Sequence, residues 1–222
     1  MQQSPASASA TRLKITEIFR SLQGEADTAG IATVFVRLTG CPLRCRYCDT
    51  AYAFHGGEWL TLEQAVQQVA AFETRHVCVT GGEPLAQKGC AQLIARLCDL
   101  GLRVSVETGG AMPLQGLDPR AVLVVDVKTP ESGEEGRNRY GELQRLRSTD
   151  LVKFVVCSRA DYEWSRAKLR ELKLAEHCTV LFSPSHEQLP ARELADWVLE
   201  DQLPVRFQIQ LHKYLWGNVP GK

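Results

Sequence analysis

The sequence lacks an excess of charge of either sign, because Lys and Arg together number 26 and so do Asp and Glu. Proteins that grip a nucleic-acid backbone usually carry a basic surplus. The sequence also lacks any apolar run of about 18 residues, the length that a membrane-spanning helix needs. These absences favour a small-molecule partner, and we expect neither nucleic-acid binding nor a membrane span.

The first ten residues, MQQSPASASA, lack the positive charge and the apolar stretch of a signal peptide. We predict a flexible N-terminal tail over residues 1–12. The remaining residues, 13–222, show no internal repeat and no linker rich in Gly, Ser or Pro. Because this length suffices for a complete hydrophobic core, they are predicted to form a single domain.

Most of the eight cysteines stand singly within apolar patterns. Small apolar side chains buried in a core are the simplest explanation for such positions, so disulfides are not expected. A reducing, cytoplasmic location follows as an expectation. The cysteines of this kind are Cys78, Cys90, Cys98, Cys157 and Cys178.

Short β-rich runs alternate with helical patterns along the chain, which predicts a parallel sheet covered by helices. A full barrel of eight such units typically needs about 250 residues, so we expect an α/β fold of the incomplete, modified parallel β/α barrel type. Strands are predicted at 33–39, 76–80, 102–106, 122–127, 151–156, 179–183 and 205–210. Helices are predicted at 61–73, where Thr61 and Gln64 suit a capping box, at 87–100 ahead of Gly101, at 160–172 and at 188–200, and a loop with a short helix at 129–149.

Polar residues capable of chemistry follow five of these strands. The carboxyl ends of parallel strands gather at one face, where the active sites of such barrels lie. We therefore predict that these positions form one site. They are Gly40-Cys41, Thr80 to Pro84, Glu107-Thr108, Asp126 to Lys128, and Gln210 with His212.

Three cysteines, Cys41, Cys45 and Cys48, fall within eight residues in the spacing C-x3-C-x2-C. Structural zinc normally takes four protein ligands, and no partner pair of Cys or His lies elsewhere in the chain. A ferredoxin-type [4Fe–4S] cluster takes four cysteines, and a disulfide would leave one thiol over. Three thiols fit best a cubane cluster with one iron open to another ligand.

The cysteine triplet, Tyr47 before its last member and the stretch T-G-G-E-P at 80–84 resemble the radical S-adenosylmethionine (SAM) superfamily. Further stretches resemble the 7-carboxy-7-deazaguanine synthase family from about residue 14 to 216. They are S-L-Q-G-E at 21–25, R-L-T-G-C at 37–41, C-D-T at 48–50, V-E-T at 106–108, D-V-K-T-P at 126–130 and Q-L-H-K at 210–213. The resemblance implies a radical SAM lyase that converts 6-carboxy-5,6,7,8-tetrahydropterin to 7-carboxy-7-deazaguanine, with loss of ammonia, on the way to queuosine.

The resemblance also implies cofactors and partners: a [4Fe–4S] cluster, SAM, Mg2+, an electron donor such as flavodoxin, and a homodimer. Cys41, Cys45 and Cys48 would bind the cluster, and Thr50 would ligate Mg2+. We expect Gly81 and Gly82 to let the backbone approach the charged end of SAM. Cofactor contacts are implied for Tyr47, Cys48, Asp49, Gly82, Asp126, Val127, Lys128 and Ser183, and substrate contacts for Leu22, Gln23, Gly24, Glu25, Arg37, Thr80, Glu107, Gln210 and His212.

Some positions depart from the family or admit another interpretation. The family usually has Gly where Ala26 stands, so the loop backbone is expected to differ there. Arg37 suits either a buried salt bridge or a planar fork for the substrate carboxylate. The chain continues through WGNVPGK, which puts a substrate role for its terminus, or for Pro220, in doubt. Two rival functions are a radical SAM enzyme that activates a partner protein and a non-catalytic iron–sulfur or zinc module.

Overall fold

Among the described residues, seven strands run parallel in one sheet of nine. The computed structural model describes residues 11–222. Because the sheet is open and its parallel part is continuous, the carboxyl ends of these strands meet along one edge, as the sequence predicts. In sheet order the seven are β2 (Ala32–Leu38), β4 (His76–Gly81), β5 (Arg103–Thr108), β6 (Val122–Val127), β7 (Leu151–Val156), β8 (Thr179–Pro184) and β9 (Arg206–Phe207).

Helices pack against one face of the sheet and enclose the main hydrophobic core. Alternate side chains of each strand enter this core, and the central strands are apolar almost throughout because their other face is largely buried too. The opposite face carries a smaller apolar cluster formed by Ala26, Val124, Leu151 and Leu181. The helices are α1 (Leu62–Ala70), α2 (Cys90–Asp99), α3 (Tyr140–Leu143), α4 (Arg159–Glu171), α5 (Ala191–Glu200) and α6 (Leu211–Trp216).

The helix boundaries follow from local signals that the sequence contains. The capping box predicted at the start of α1 is confirmed, since the side chains of Thr61 and Gln64 each accept from the other's backbone N–H. Gly101 follows α2 with φ +74°, the left-handed conformation that ends helices at little cost to glycine. Residues 129–149 form a loop with short helical turns and α3, also as predicted.

Two strands that the sequence analysis missed make one edge of the sheet antiparallel. β1 (Arg12–Leu22) pairs with β2, and β3 (Glu58–Thr61) pairs with β1. Leu13 and Ile15 are buried on β1, but charged side chains alternate with them and the register shifts between Ile15 and Glu17. An amphipathic strand interrupted by a bulge has a weaker hydrophobic pattern than the buried central strands.

The strand predicted at 205–210 is wrong in extent, because β9 contains only Arg206 and Phe207. The Gln208 N–H still donates to the Phe182 carbonyl at 3.0 Å, but the Gln208 side chain then accepts from the Ala26 N–H at 2.9 Å. The chain therefore leaves the sheet to dock on the loop after β1. His212 consequently lies in α6 rather than at the end of a strand.

The predicted tail, residues 1–12, falls outside the described residues up to residue 10, and β1 begins at Arg12. Among residues 11–222, no helix combines the length and the apolar character that crossing a bilayer requires. All eight cysteines lie in this range, and none of them is joined to another in a disulfide.

Candidate active site

A cavity of about 480 Å³ lies at the carboxyl ends of the parallel strands. Polar side chains from the strand ends meet in it, together with the loops after β1 and β2 and the segment around α6. Nearly all of the predicted site residues line it: Leu22, Gln23, Gly24, Glu25, Arg37, Cys41, Cys45, Tyr47, Cys48, Asp49, Thr50, Thr80, Gly82, Glu107, Asp126, Lys128, Gln210 and His212.

Two predicted cofactor residues do not line this cavity. Val127 points into the main core, because side chains alternate along β6 and its neighbours Asp126 and Lys128 take the cavity side. Ser183 is buried within β8, and the chain reaches the cavity two residues later, at Ser185. The cofactor contact predicted at Ser183 therefore lies too early in the strand.

The three closely spaced cysteines, Cys41, Cys45 and Cys48, lie on the loop after β2 and are each partly buried. Burial raises the pKa of all three thiols, that of Cys45 to about 11. Such thiols stay protonated by themselves, and a bound metal would reverse this because its charge favours the thiolate. The loop is thus suited to a metal group rather than to a free nucleophile.

The spacing of the sulfur atoms bears on the kind of metal group that the three cysteines could bind. Ligands of one tetrahedral zinc, each about 2.3 Å from the metal, would lie about 3.8 Å from one another. Across residues 11–222, the sets of three or more potential metal ligands whose atoms lie within 4.8 Å of one another do not include the three cysteines. At least one pair of these sulfur atoms is therefore more than 4.8 Å apart, wider than the ligand spacing around a single zinc ion, which favours a larger metal group.

Gly81 and Gly82 pack the end of β4 against the cysteine loop. A Cβ on Gly82 would stand 2.7 Å from the Cβ of Cys41, and one on Gly81 would stand 2.9 Å from the Leu38 nitrogen. The Gly82 N–H donates to the Leu38 carbonyl at 3.1 Å. We expected these glycines to admit a ligand, but the structure shows that the approach of two protein segments already requires them.

Glu83 fixes two strand ends to the same loop. Its carboxylate is fully buried and accepts from the Thr108 hydroxyl at 2.9 Å, from the Gly109 N–H at 2.7 Å and from the Leu85 N–H at 3.0 Å. Its own N–H donates to the Gly40 carbonyl at 2.8 Å. Burial raises the pKa of this carboxyl, and the donors around it satisfy its oxygens. Glu83 therefore holds the cysteine loop rather than reacting.

Four charged side chains form a row along the floor of the cavity. The Lys153 ammonium lies 2.5 Å from a Glu25 oxygen and 3.8 Å from the Asp126 Oδ2. Lys128 binds the same Asp126 oxygen at 2.9 Å and stands over the Tyr47 ring at 5.7 Å. Charges alternate along the row, so each buried group is paired with an opposite one.

A second group of polar side chains presents a mixed donor and acceptor surface. Glu107 accepts from the Gln23 amide at 3.3 Å and from the Thr80 hydroxyl at 3.1 Å. Glu25 accepts from the Gln210 amide at 2.9 Å. Carboxylates offer only acceptors, whereas the amides offer both kinds of group. The arrangement suits a flat, polar heterocycle with N–H groups along its edge.

The segment around α6 closes over this group. The Leu211 N–H donates to the Gly24 carbonyl at 2.9 Å, and a Cβ on Gly24 would collide with the imidazole of His212. Burial lowers the pKa of His212, although the nearby Glu25 opposes this. Gly24 is thus required by the close approach of the His212 ring, which is mainly neutral near neutral pH.

Comparison with known proteins identifies the family. Residues 35–128 match the model of the radical SAM superfamily. A 7-carboxy-7-deazaguanine synthase of Chlorobaculum tepidum is 43% identical, with 92% of this chain and 94% of the relative covered. This chain belongs to the 7-carboxy-7-deazaguanine synthase family. A relative of the same name from Koribacter versatilis is 41% identical over 92% of this chain and 97% of its own. The crystal structure of QueE from Escherichia coli superposes with a TM-score of 0.75 at 24% identity, covering 90% of this chain and 95% of that one, which supports the same fold.

The 7-carboxy-7-deazaguanine synthase family belongs to the radical SAM superfamily, whose members use a [4Fe–4S] cluster and SAM, and the cavity fits both. Two buried polar atoms on its cofactor side have no hydrogen-bond partner among residues 11–222: the Asp126 Oδ1 and the Tyr47 hydroxyl. Unpaired buried polar atoms are costly, and a polar ligand would satisfy them. Beside three thiols that lack a fourth, these atoms are available as partners for a polar cofactor.

Ala26 adopts a backbone conformation that glycine favours. Its φ is +62°, in the left-handed region that favours glycine, and its N–H donates to Gln208. The expectation that the loop backbone differs from that of relatives with glycine here stays a prediction. Alanine in this conformation carries a steric cost of roughly 1–2 kcal/mol, which the surrounding contacts must offset.

Arg37 has a carboxylate partner within the chain, as the salt-bridge interpretation predicts. Its Nε binds Glu17 at 2.6 Å, and its guanidinium stands about 6 Å from the rings of Phe19 and Tyr52. Its two terminal nitrogens have no hydrogen-bond partner within the described chain, and the residue lines the cavity. A salt bridge and a free fork thus coexist in one side chain.

Asp49 and Thr50 lie between the cysteine loop and α6. Asp49 accepts from the Thr50 hydroxyl at 2.8 Å and binds the Lys213 ammonium, also at 2.8 Å. Burial would raise the pKa of Asp49, but Lys213 lowers it well below its usual range. The Thr50 oxygen keeps its lone pairs while it donates, so it remains able to ligate a cation.

Several cavity residues were missed by the sequence analysis. Lys153 is a lone charge within an apolar strand, which is the same local signal that marks Arg37. Lys213 stands in the quoted Q-L-H-K stretch but received no role. Residues 185–188 also line the cavity, and no motif marks them. Residues 217–222 line it as well, including Pro220, whose substrate role the sequence left in doubt.

Proposed function

We propose that the chain is a 7-carboxy-7-deazaguanine synthase, converting 6-carboxy-5,6,7,8-tetrahydropterin to 7-carboxy-7-deazaguanine with loss of ammonia on the route to queuosine. One observation carries this proposal. A three-cysteine loop suited to a cluster and a donor–acceptor surface suited to a pterin edge line the same cavity. A radical SAM enzyme that acts on a partner protein would not need the second feature.

Cys41, Cys45 and Cys48 would hold the cluster, and Tyr47 and Asp126 would contact SAM. When bound, these cofactors supply a radical able to remove a hydrogen atom from the substrate. The protein's own contribution is to orient the substrate and exclude water around it. Lys128 stays protonated, because Asp126 overcomes the effect of burial and raises its pKa, so it offers a fixed positive charge at the cofactor end.

The substrate would lie between the row of charges and α6. Gln23, Glu25 and Glu107 would pair with the donor and acceptor atoms of the pterin edge, and the neutral His212 would close that side. The free fork of Arg37 would bind the substrate carboxylate, since two parallel N–H groups match its two oxygens. Leu22, Thr80 and Gln210 would complete the pocket.

Mg2+ is part of the proposal through Thr50. Magnesium commonly keeps several waters and takes few protein ligands, so one hydroxyl with substrate oxygens is sufficient. The Asp49 carboxylate beside it adds negative charge at the same place. The ion pair with Lys213 fixes the Asp49 carboxylate beside the Thr50 hydroxyl.

We further propose that the enzyme acts as a homodimer in the cytoplasm and takes its electron from a donor such as flavodoxin. The eight free thiols support a reducing compartment. Apolar side chains exposed near the C-terminus, Tyr214, Leu215 and Val219, support burial against a second copy.

A reconstitution assay tests the proposed function. The protein is loaded with iron and sulfide without oxygen, then given the pterin, SAM, Mg2+ and a reductant, and the products are identified by mass. We expect both 7-carboxy-7-deazaguanine and ammonia, and neither with Cys45→Ala. Formation of 5′-deoxyadenosine without the deazapurine would indicate another radical SAM enzyme. A protein that binds no iron would indicate a different kind of metal module.

A further inference from the structure

Lys153 occupies the centre of the charged row, on a strand that is otherwise apolar. It lies opposite Asp126 in the register of β6 and β7. Its neighbours on the same face of β7, Leu151 and Val155, are apolar. The ammonium thus reaches from the middle of the sheet into the cavity, where it meets Glu25.

Burying a lysine at this position costs free energy, so the charge is expected to have a function. Burial alone would lower the pKa of Lys153, but Glu25, Asp126 and Glu107 raise it above its ordinary value, so the charge is kept. An apolar side chain of similar volume often packs at such a place at no loss of stability. Stability therefore does not explain why an ammonium, rather than a methionine, lies on the floor of the cavity.

The contacts of Glu25 show what the ammonium does there. One carboxylate oxygen faces Lys153 at 2.5 Å and Gln208 at 3.4 Å, while the other accepts from Gln210 at 2.9 Å. Burial would raise the pKa of Glu25, and Lys153 is the main group that lowers it. The carboxylate is thus fixed in direction and held in its charged form, which only accepts hydrogen bonds.

We propose that Lys153 is a positioning residue, which holds Glu25 as a charged hydrogen-bond acceptor. The cavity then selects ligands that carry N–H donors along one edge. The contact of Lys153 with Asp126 links the binding of such ligands to the cofactor side. This inference rests on the proposed function, because it names how the same cavity recognises its substrate. The 2-amino group and the ring N–H of a pterin form such an edge. An analogue that lacks the 2-amino group offers one donor fewer and is expected to bind poorly.

The test measures pterin affinity calorimetrically on the cluster-loaded protein without oxygen, so it does not depend on turnover. Lys153→Met removes the charge at similar volume and should weaken binding by about tenfold or more, since it leaves Glu25 buried beside other negative groups. Lys153→Arg should restore much of the affinity. Lys168→Met, which removes a lysine from the ion pair with Glu171 on α4, is the matched control and should bind as the wild type does.

Two further measurements separate positioning from simple folding. Without Lys153, Glu25 becomes protonated at higher pH than before, so the affinity of Lys153→Met should recover as the pH rises, while the wild type changes less. In a Glu25→Gln background, Lys153→Met should reduce the pterin affinity little further, because Lys153 acts through Glu25. Other charged groups face the pair and are unchanged in these variants: Asp126 on β6, Glu107 on β5, Asp49 and His212.

The outcomes distinguish the two proposals. If the wild type binds no pterin, the proposed function is wrong, and this inference fails with it. Two results would contradict only the role of Lys153, provided that the wild type binds the pterin. In the first, Lys153→Met binds the pterin as tightly as the wild type does. In the second, Lys153→Met reduces the affinity by the same factor in the Glu25→Gln background as in the wild type. Equal losses for the pterin and for the analogue without its 2-amino group would also overturn it.

Discussion

The two ends of the cavity are built in different ways. At the cofactor end, backbone groups from β2, β4 and the cysteine loop pack directly on one another, as the contacts of Gly82 with Leu38 and Cys41 show. At the substrate end, side chains from distant parts of the chain meet: Glu25 contacts both Lys153 and Gln210, each more than a hundred residues away in the sequence.

This difference in construction predicts how well each end tolerates substitutions. A cluster loop set by backbone packing has little room for adjustment, so small steric changes should be felt there strongly. A surface set by side-chain contacts can change its preference by single substitutions while the backbone stays in place. Under the proposed function, chemistry common to the superfamily would depend on the rigid end, and the choice of substrate would depend on the other.

The largest effect is expected at the cluster itself. Cys45→Ala should remove the visible absorption of the cluster and all turnover, because each of the three thiols would hold one iron of the cluster. Cys98→Ala is the matched control: it removes a buried thiol from α2 and should cost only about 1 kcal/mol of stability. Iron content and absorption spectra decide the matter, and a fully loaded Cys45→Ala protein would show that the cluster is bound elsewhere.

Gly82→Ala tests the rigidity of the cofactor end. The added Cβ meets the Cβ of Cys41 at 2.7 Å, so the loop must move, with a loss of roughly 1–3 kcal/mol and a reduced iron content. Gly136→Ala adds the same atom where no heavy atom lies within 4 Å and should change neither property. Iron quantification and thermal unfolding measure both variants, and equal behaviour would contradict the comparison of the two ends.

Arg37→Lys tests the substrate end. Lysine can keep the ion pair with Glu17 but loses the planar fork, so the affinity for the pterin should fall by about tenfold or more. The absorption of the cluster should not change, since Arg37 does not contact the cysteine loop. Direct binding titrations provide the measurement. Unaltered affinity would mean that Arg37 serves only its salt bridge with Glu17.

Motifs in the sequence locate residues of both ends of the cavity, but the contacts that join the segments of the substrate end could not be predicted from it. The triplet of cysteines and T-G-G-E-P are local patterns, so the residues of the cofactor end can be recognised in the sequence alone. The docking of residues 208–212 on the loop after β1 depends on contacts between distant segments, such as that of Gln208 with Ala26, and no short pattern encodes those. Lys153 is the instructive exception, because a lone charge in the apolar run LVKFVV is itself a local signal.

Thr50 lies between the two ends, and a smaller effect is expected there. Thr50→Val keeps the shape but removes the oxygen, so stimulation of turnover by Mg2+ should weaken or vanish while the cluster remains. Thr50→Ser retains the hydroxyl and should respond to Mg2+ as the wild type does. Titrating Mg2+ against the initial rate tests this, and an unchanged response in Thr50→Val would place the metal elsewhere.

The smallest effect is expected at Ala26, where two opposing contributions nearly cancel. Glycine relieves roughly 1 kcal/mol of strain at φ +62°, but it loses a buried methyl group worth about 0.8 kcal/mol and gains freedom in the unfolded chain. Ala26→Gly should therefore change the free energy of unfolding by less than about 1 kcal/mol. Ala65→Gly, at a buried right-handed position in α1, loses the same methyl group and helix propensity as well, and should cost about 2 kcal/mol. Chemical denaturation of both variants gives the difference, and equal losses would show that the loop at Ala26 carries no strain.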